Sequence, residues 1–243
     1  DFGQVEVDPA VVNLSDFETF YDEKRPFFIE GASIFRFGNG GSSSHWGFNW
    51  GTPDFFYSRR IGRAPQGGHP DNDYADVPEA TTILGAGKMT GKVAKDVNVG
   101  ALYALTGQES GRFSLDGEQF RQTVEPRTHY GVLRLQKEMN AARQGIGLIS
   151  TYSRRDMQSS VIRHDLNESA ASFGVDGWSF LDRDKTWVLC GWGGGSRVTG
   201  TPQRMRDVQT GAPHYYQRPD AEHVQLDSSA THLDGFAGRL LLN

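Results

Sequence analysis

From Thr82 onward, apolar and polar residues alternate in short, regularly spaced runs, the period of a strand with two unlike faces. Residues 83–93 and 97–106 are parted by Ala94-Lys95-Asp96, a hairpin-length break. In the second run Val97, Val99, Ala101, Tyr103 and Leu105 share one face, opposite Asn98, Gly100, Ala104 and Thr106. Residues 129–139 and 145–155 follow, with Ile146, Leu148 and Tyr152 on one side. Residues 170–181 place Ala171, Phe173, Val175 and Leu181 opposite Asp176, and a polar turn at 182–185 leads into 186–198. A last strand starts near Thr231. The pattern predicts an all-β, antiparallel, up-and-down barrel or barrel fragment of about seven or eight strands. Helix is scarce, and 118–124 reads as no more than a turn.

The first 82 residues break this rhythm and form an irregular aromatic, acidic and loop-rich opening, ahead of a barrel-like region over 83–243. Between Phe17 and Phe37, aromatics surround Glu18, Asp22, Glu23 and Glu30, with Lys24 and Arg25 beside Pro26. The charges cluster instead of lining one helical face, and Pro26 removes a backbone donor. Such a segment is a site or a plug inside the sheet. Residues 38–44 and 65–73 carry turn and loop composition.

Composition narrows the classes. A net charge of −5 over 243 residues argues against nucleic acid as the main partner. Thirty glycines and 12% aromatic residues fit many turns and flat β surfaces. No apolar run approaches the roughly twenty residues of a membrane-spanning helix, although a transmembrane barrel gives no such signal. Cys190 is the sole cysteine, which rules out an intrachain disulfide and reads as a small buried hydrophobe. The sequence opens on Asp1-Phe2-Gly3 without an initiator methionine or the basic and apolar runs of a signal peptide, and is expected to be a piece of something longer.

Several residue sets carry candidate chemistry. Glycoside hydrolysis needs two carboxylates, one of them kept protonated by its surroundings, and Glu18, Glu23, Glu30 and Asp176 are the candidates. Phe28 and its neighbours, with Trp46 and Trp50, offer stacking platforms for sugars. Arg59, Arg60 and Arg63 suit bidentate binding of carboxylates or phosphates. The structural alternative pairs the opening acids with these arginines, pinning a plug to the strands. That alternative is the favoured one. The seven histidines show no metal-ligand spacing, 69–73 reads as a solvated turn, and no metal or cofactor is expected. Nucleophile elbows, phosphate loops and dinucleotide fingerprints are absent. Gly193-Gly194-Gly195 marks a bulge or a close backbone approach.

The runs 20–31, 56–63, 85–92 and 100–106, with Arg134 to Lys137, Gly195 to Val198 and Tyr215 to Asp220, resemble the DUF5916 family across nearly the whole chain. The resemblance implies a bacterial envelope protein. It also implies a module similar to family 9 carbohydrate-binding modules, followed by a region like an outer-membrane barrel. This sequence lacks the module, and its β-region covers about half of that span. The expected role is polysaccharide or oligosaccharide binding or handling at the outer membrane or cell surface. The alternatives are a glycoside hydrolase of plant-type polysaccharide and a structural fragment without autonomous activity.

Overall fold

The computed structural model describes residues 19–38, 55–158 and 160–242, with Ser160 and Val161 in backbone only. After a short helix α1 (Pro26–Ile29) come β1 (Tyr74–Asp76), β2 (Ile83–Ala94), β3 (Val97–Thr106), β4 (Glu109–Leu115) and β5 (Glu118–Glu125). Then follow β6 (Thr128–Met139), β7 (Gln144–Arg155), α2 (Ser160–Asp165), β8 (Ser169–Phe180), β9 (Val188–Thr199), α3 (Pro202–Thr210) and β10 (His232–Leu242). Seven strands form one antiparallel sheet in the order β10-β9-β8-β7-β6-β3-β2, and a second sheet is ordered β1-β4-β5. The seven long strands fall within two residues of the positions their alternation predicts.

One expectation is narrowed and another needs correction. The meander stays open, with β2 and β10 as its edges among the described residues, so the fragment and not the closed barrel is present. A barrel of about eight strands is filled by its own side chains, whereas this sheet holds a folded segment on its inner face. The correction concerns 118–124, which is a strand paired to β4. Asp116 and Gly117 have φ of 51° and 83°, the left-handed pair of a tight hairpin turn. The exposed, polar start of β5 hides it from an apolar-alternation reading.

Register divides the large sheet into two unlike faces. Met89, Ala101, Leu133, Ser150, Phe173, Gly195 and Phe236 lie in one cross-strand row on the outer face. The next row runs Val99, Leu135, Leu148, Val175 and Gly193. Many of these apolar side chains are exposed, Phe236 to 96% and Phe173 to 51%. A Cβ added at Gly131 or Gly193 would meet nothing within 4 Å, so nothing among the described residues covers this face there.

The inner face is covered by the opening segment. Phe28 and Phe35 pack with Ile61 against Leu102, Ala104 and Val132. Bare backbone makes room for the aromatics. A Cβ at Gly174 would sit 2.6 Å from Phe37, and one at Gly194 would sit 2.6 Å from Phe55. Gly194 is therefore the close approach expected of the glycine run, and the β8–β9 and β9–β10 ladders show no register shift beside it. Further along, Arg134 of β6 and Asp176 of β8 form a bidentate ion pair at 2.6 and 2.9 Å across the intervening β7. Gly147 of β7 leaves the gap, since a Cβ there would lie 2.6 Å from Asp176 Oδ1 and 2.7 Å from Arg134 Nη1. The Gly38 amide donates to Asp176 Oδ2 at 2.8 Å, and the Arg134 guanidinium lies over Phe37.

This pair is only 2–3% exposed, so each charge depends on the other. Arg134→Met alone is expected to cost about 3–5 kcal/mol by stranding a buried carboxylate. Arg134→Met with Asp176→Leu is expected to recover most of that loss, as read from denaturant midpoints. Equal losses in the single and double variants would refute the interdependence.

Candidate functional site

Two of the four candidate carboxylates, Glu23 and Asp176, are committed to structure. Glu23 Oε1 accepts from the amides of Lys24 and Arg25 and from Arg25 Nε, at 3.1, 3.0 and 2.8 Å. Its Oε2 accepts from Arg25 Nη2 at 2.7 Å and from Ser58 Oγ at 2.6 Å. Arg25 in turn donates to the carbonyls of Ile61 and Ser58, at 2.7 and 3.0 Å, and covers the Phe28 ring. The clasp thus closes on Arg25 and Ser58, where sequence pattern pointed to Arg59, Arg60 and Arg63. Asp176 belongs to the separate ion pair with Arg134. Glu30 is exposed at the end of α1, where its carbonyl and that of Phe27 accept from Lys88 Nζ. Phe28 lies in the core. Glu18, Trp46 and Trp50 lie outside the described residues. Hydrogen bonds do not join Glu23 and Asp176 into a catalytic pair.

The space that remains open lies beside the plug. A cavity of about 660 Å³ separates Phe20 and residues 55–57 from the inner face of β6 to β9. Phe55, Phe56 and Tyr130 give it aromatic walls, and Arg60, Arg63, Arg155 and Arg204 also line it. No aspartate or glutamate is among its described lining residues. Arg59, by contrast, donates to the Asp22 carbonyl at 3.0 Å and lies over Tyr21.

Each arginine reaches the cavity from a different element. Arg155 ends β7 on the inward parity, donating to the Asn167 carbonyl at 2.8 Å and making a long contact of 3.5 Å to Glu125. Arg204 comes from α3, whose start is set by Pro202 and by Thr201 capping the Arg204 amide. Its Nε donates to Asn167 Oδ1 at 2.9 Å. Arg63 follows the turn at Gly62, whose φ is 82°. The Arg63 Nε is buried without a hydrogen-bond partner among the described residues.

Electrostatics agree with the geometry. Burial, followed by repulsion from Arg155, pushes the Arg63 guanidinium below its ordinary pKa. Burial does the same to Arg204, with Asp207 and Asp165 pulling back and Arg155 adding to the depression. The Tyr130 phenol is raised by burial against the pull of Arg155 and Arg63. Arg63 was legible as a basic residue in sequence, but Arg155 and Arg204 were not singled out. The parity of β7 would have placed Arg155 inward, and the Thr201-Pro202 start would have announced α3.

The clasp carries a pH signature. Burial raises the Glu23 carboxyl pKa, but hydrogen bonds from Arg25 and Ser58 outweigh it and hold the group below its ordinary value of 4.5. A depressed carboxylate stabilises the fold above its unfolded pKa, and that contribution fades as pH falls through the folded value. Glu23→Gln is therefore expected to lower the thermal midpoint by a constant amount above about pH 4.5. Below that, the gap from wild type should shrink. A gap that stays constant down to pH 2 or widens would contradict the clasp.

No curated protein and no solved structure matches the chain. A family model does, over residues 1–211, and its description is a domain of unknown function. With most of its length in that match, including the opening segment, the arginine-lined cavity and the strands β1 to β9, this chain belongs to the DUF5916 family.

Proposed function

We propose that this chain is the plugged β-sheet region of an outer-membrane-type barrel protein of the bacterial envelope, and that it handles polysaccharide at the cell surface. The observation that carries the reading is the inverted sidedness of the sheet. Its outer face is apolar and uncovered by any described residue, while its inner face holds a buried ion pair, small residues and a folded segment. In water such a face is a liability; against lipid it is at equilibrium. β6 to β9 are 12 residues long, and β10 has 11. A tilted membrane strand needs about 9–11.

Further features support the lipid reading. Tyr103, Tyr152 and the Arg197–Asp234 pair share a cross-strand row beside the apolar band, and exposed Trp187 lies at the opposite end of the sheet. Aromatic girdles occupy such positions at both interfaces of a barrel. Closure in this reading requires strands beyond these seven, pairing with the edges β2 and β10. The aromatic walls of the cavity support the polysaccharide part, since sugar rings stack on such faces. No helix among the described residues is long and apolar enough to cross a membrane, which says nothing of strands.

Leu133→Arg places a charge in the middle of the apolar band. Against lipid it is expected to destabilise by about 2–4 kcal/mol, whereas a water-exposed site would change by about 0.5 kcal/mol or less. Vesicle flotation of wild type, with unfolding of both forms in vesicles, measures this. A wild-type chain that is a compact monomer without detergent and fails to float would sink the membrane reading. Retention on immobilised xylan or cellulose, tested separately, checks the polysaccharide reading.

A further inference from the structure

We propose that the arginine-lined cavity binds the oxyanion group, carboxylate or phosphate, of a sugar-sized ligand. Arg63, Arg155 and Arg204 are its donors, and the rings of Phe55, Phe56 and Tyr130 form the walls that receive the sugar. This deepens the polysaccharide reading by naming an acidic ligand, and it does not depend on the membrane reading.

The charge balance makes the case. Guanidiniums stay protonated in proteins and need acceptors when they leave bulk water. Two buried guanidiniums elsewhere have them, since Arg25 has Glu23 and Arg134 has Asp176. Arg63, Arg155 and Arg204 instead line one cavity, with no carboxylate among its described lining residues. The nearest buried acid, Glu125, accepts from the Gln66 amide at 3.0 Å and meets Arg155 only at 3.5 Å. Asp165 and Asp207 act on Arg204 electrostatically from outside the lining.

Geometry supplies the rest. Asn167 holds both other donors, taking Arg155 on its carbonyl and Arg204 on its side-chain oxygen. Two guanidiniums from different elements are thereby fixed in one neighbourhood before any ligand arrives, as bidentate oxyanion binding requires. Arg63 brings a buried, unpartnered Nε–H to the same cavity. At about 660 Å³ the space suits a ligand of one to a few sugar rings.

The test is calorimetric titration of the purified full chain, in detergent where it needs it. The ligands are oligogalacturonate, a neutral galacto-oligosaccharide of equal length, a sugar phosphate and inorganic phosphate. The acidic sugar is expected to bind roughly tenfold or more tightly than the neutral one. Arg63→Gln and Arg204→Gln should each remove about that factor, and Arg112→Gln, on the other sheet, should not. Arg63→Gln should also leave the unfolding midpoint unchanged or raised, because it relieves repulsion and breaks no hydrogen bond at Nε. Preference for the sugar phosphate or phosphate over the uronate would keep the oxyanion site and remove the polysaccharide reading. Equal binding of acidic and neutral sugars would overturn the anion site while sparing the polysaccharide reading. Acidic binding undiminished in both arginine variants would also overturn it, and binding of none of the four ligands would overturn both.

Discussion

The Arg134–Asp176 pair is the interaction on which the inner face of this sheet depends. It links β6 to β8 over the top of Gly147, and its carboxylate also receives the Gly38 amide at the end of the opening segment. One charged contact therefore sets the spacing of three strands and the seating of the plug. Burial makes this an all-or-none arrangement. Two charges that are 2–3% exposed repay their desolvation only when geometry and additional hydrogen bonds are both in place. Phe37 under the guanidinium and Phe55 against Gly194 then fill the space that the missing glycine side chains leave.

The same arrangement explains why polar and apolar surfaces are exchanged relative to a water-soluble sheet. Once ionic and aromatic groups from an irregular segment occupy the inner face, the apolar members of each alternation are left pointing outward. The plug does not fill the interior completely. Where residues 55–63 part from the ends of β6 to β9, the cavity remains, and arginines from three separate parts of the chain converge on it. The structural charges come in pairs with short contacts, whereas Arg63, Arg155 and Arg204 face a cavity with no carboxylate among its described lining residues.

Much of the strand layout was legible because side-chain direction along a strand is a local property. That Ile146 and Leu148 share one face, and that Phe173 and Val175 lie opposite Asp176, follows from the period-two pattern alone, whereas which face turns outward does not. The hairpin of β4 and β5 was missed because its first half is exposed and polar, although Asp116-Gly117 carried a turn signal independent of hydrophobicity. Helix α3 was missed for a related reason: its start is marked by a cap and a proline and not by an apolar stripe. Pairings were less accessible still. Glu23 found its partner two residues away in Arg25, not in the arginine run some thirty-five residues on.

By itself, then, the sequence determined the all-β class, the seven long strands, the two-faced character of each strand and the irregular opening that interrupts them. These follow from backbone sterics and the alternation of side chains, which need no knowledge of distant residues. Tertiary structure decided that the sheet stays open, that Arg134 meets Asp176 across a glycine, and that Arg63, Arg155 and Arg204 surround one cavity. Those are juxtapositions of residues 40 to 140 positions apart. They depend on strand register and on how a short helix docks against the sheet, and composition and local spacing carry no record of either.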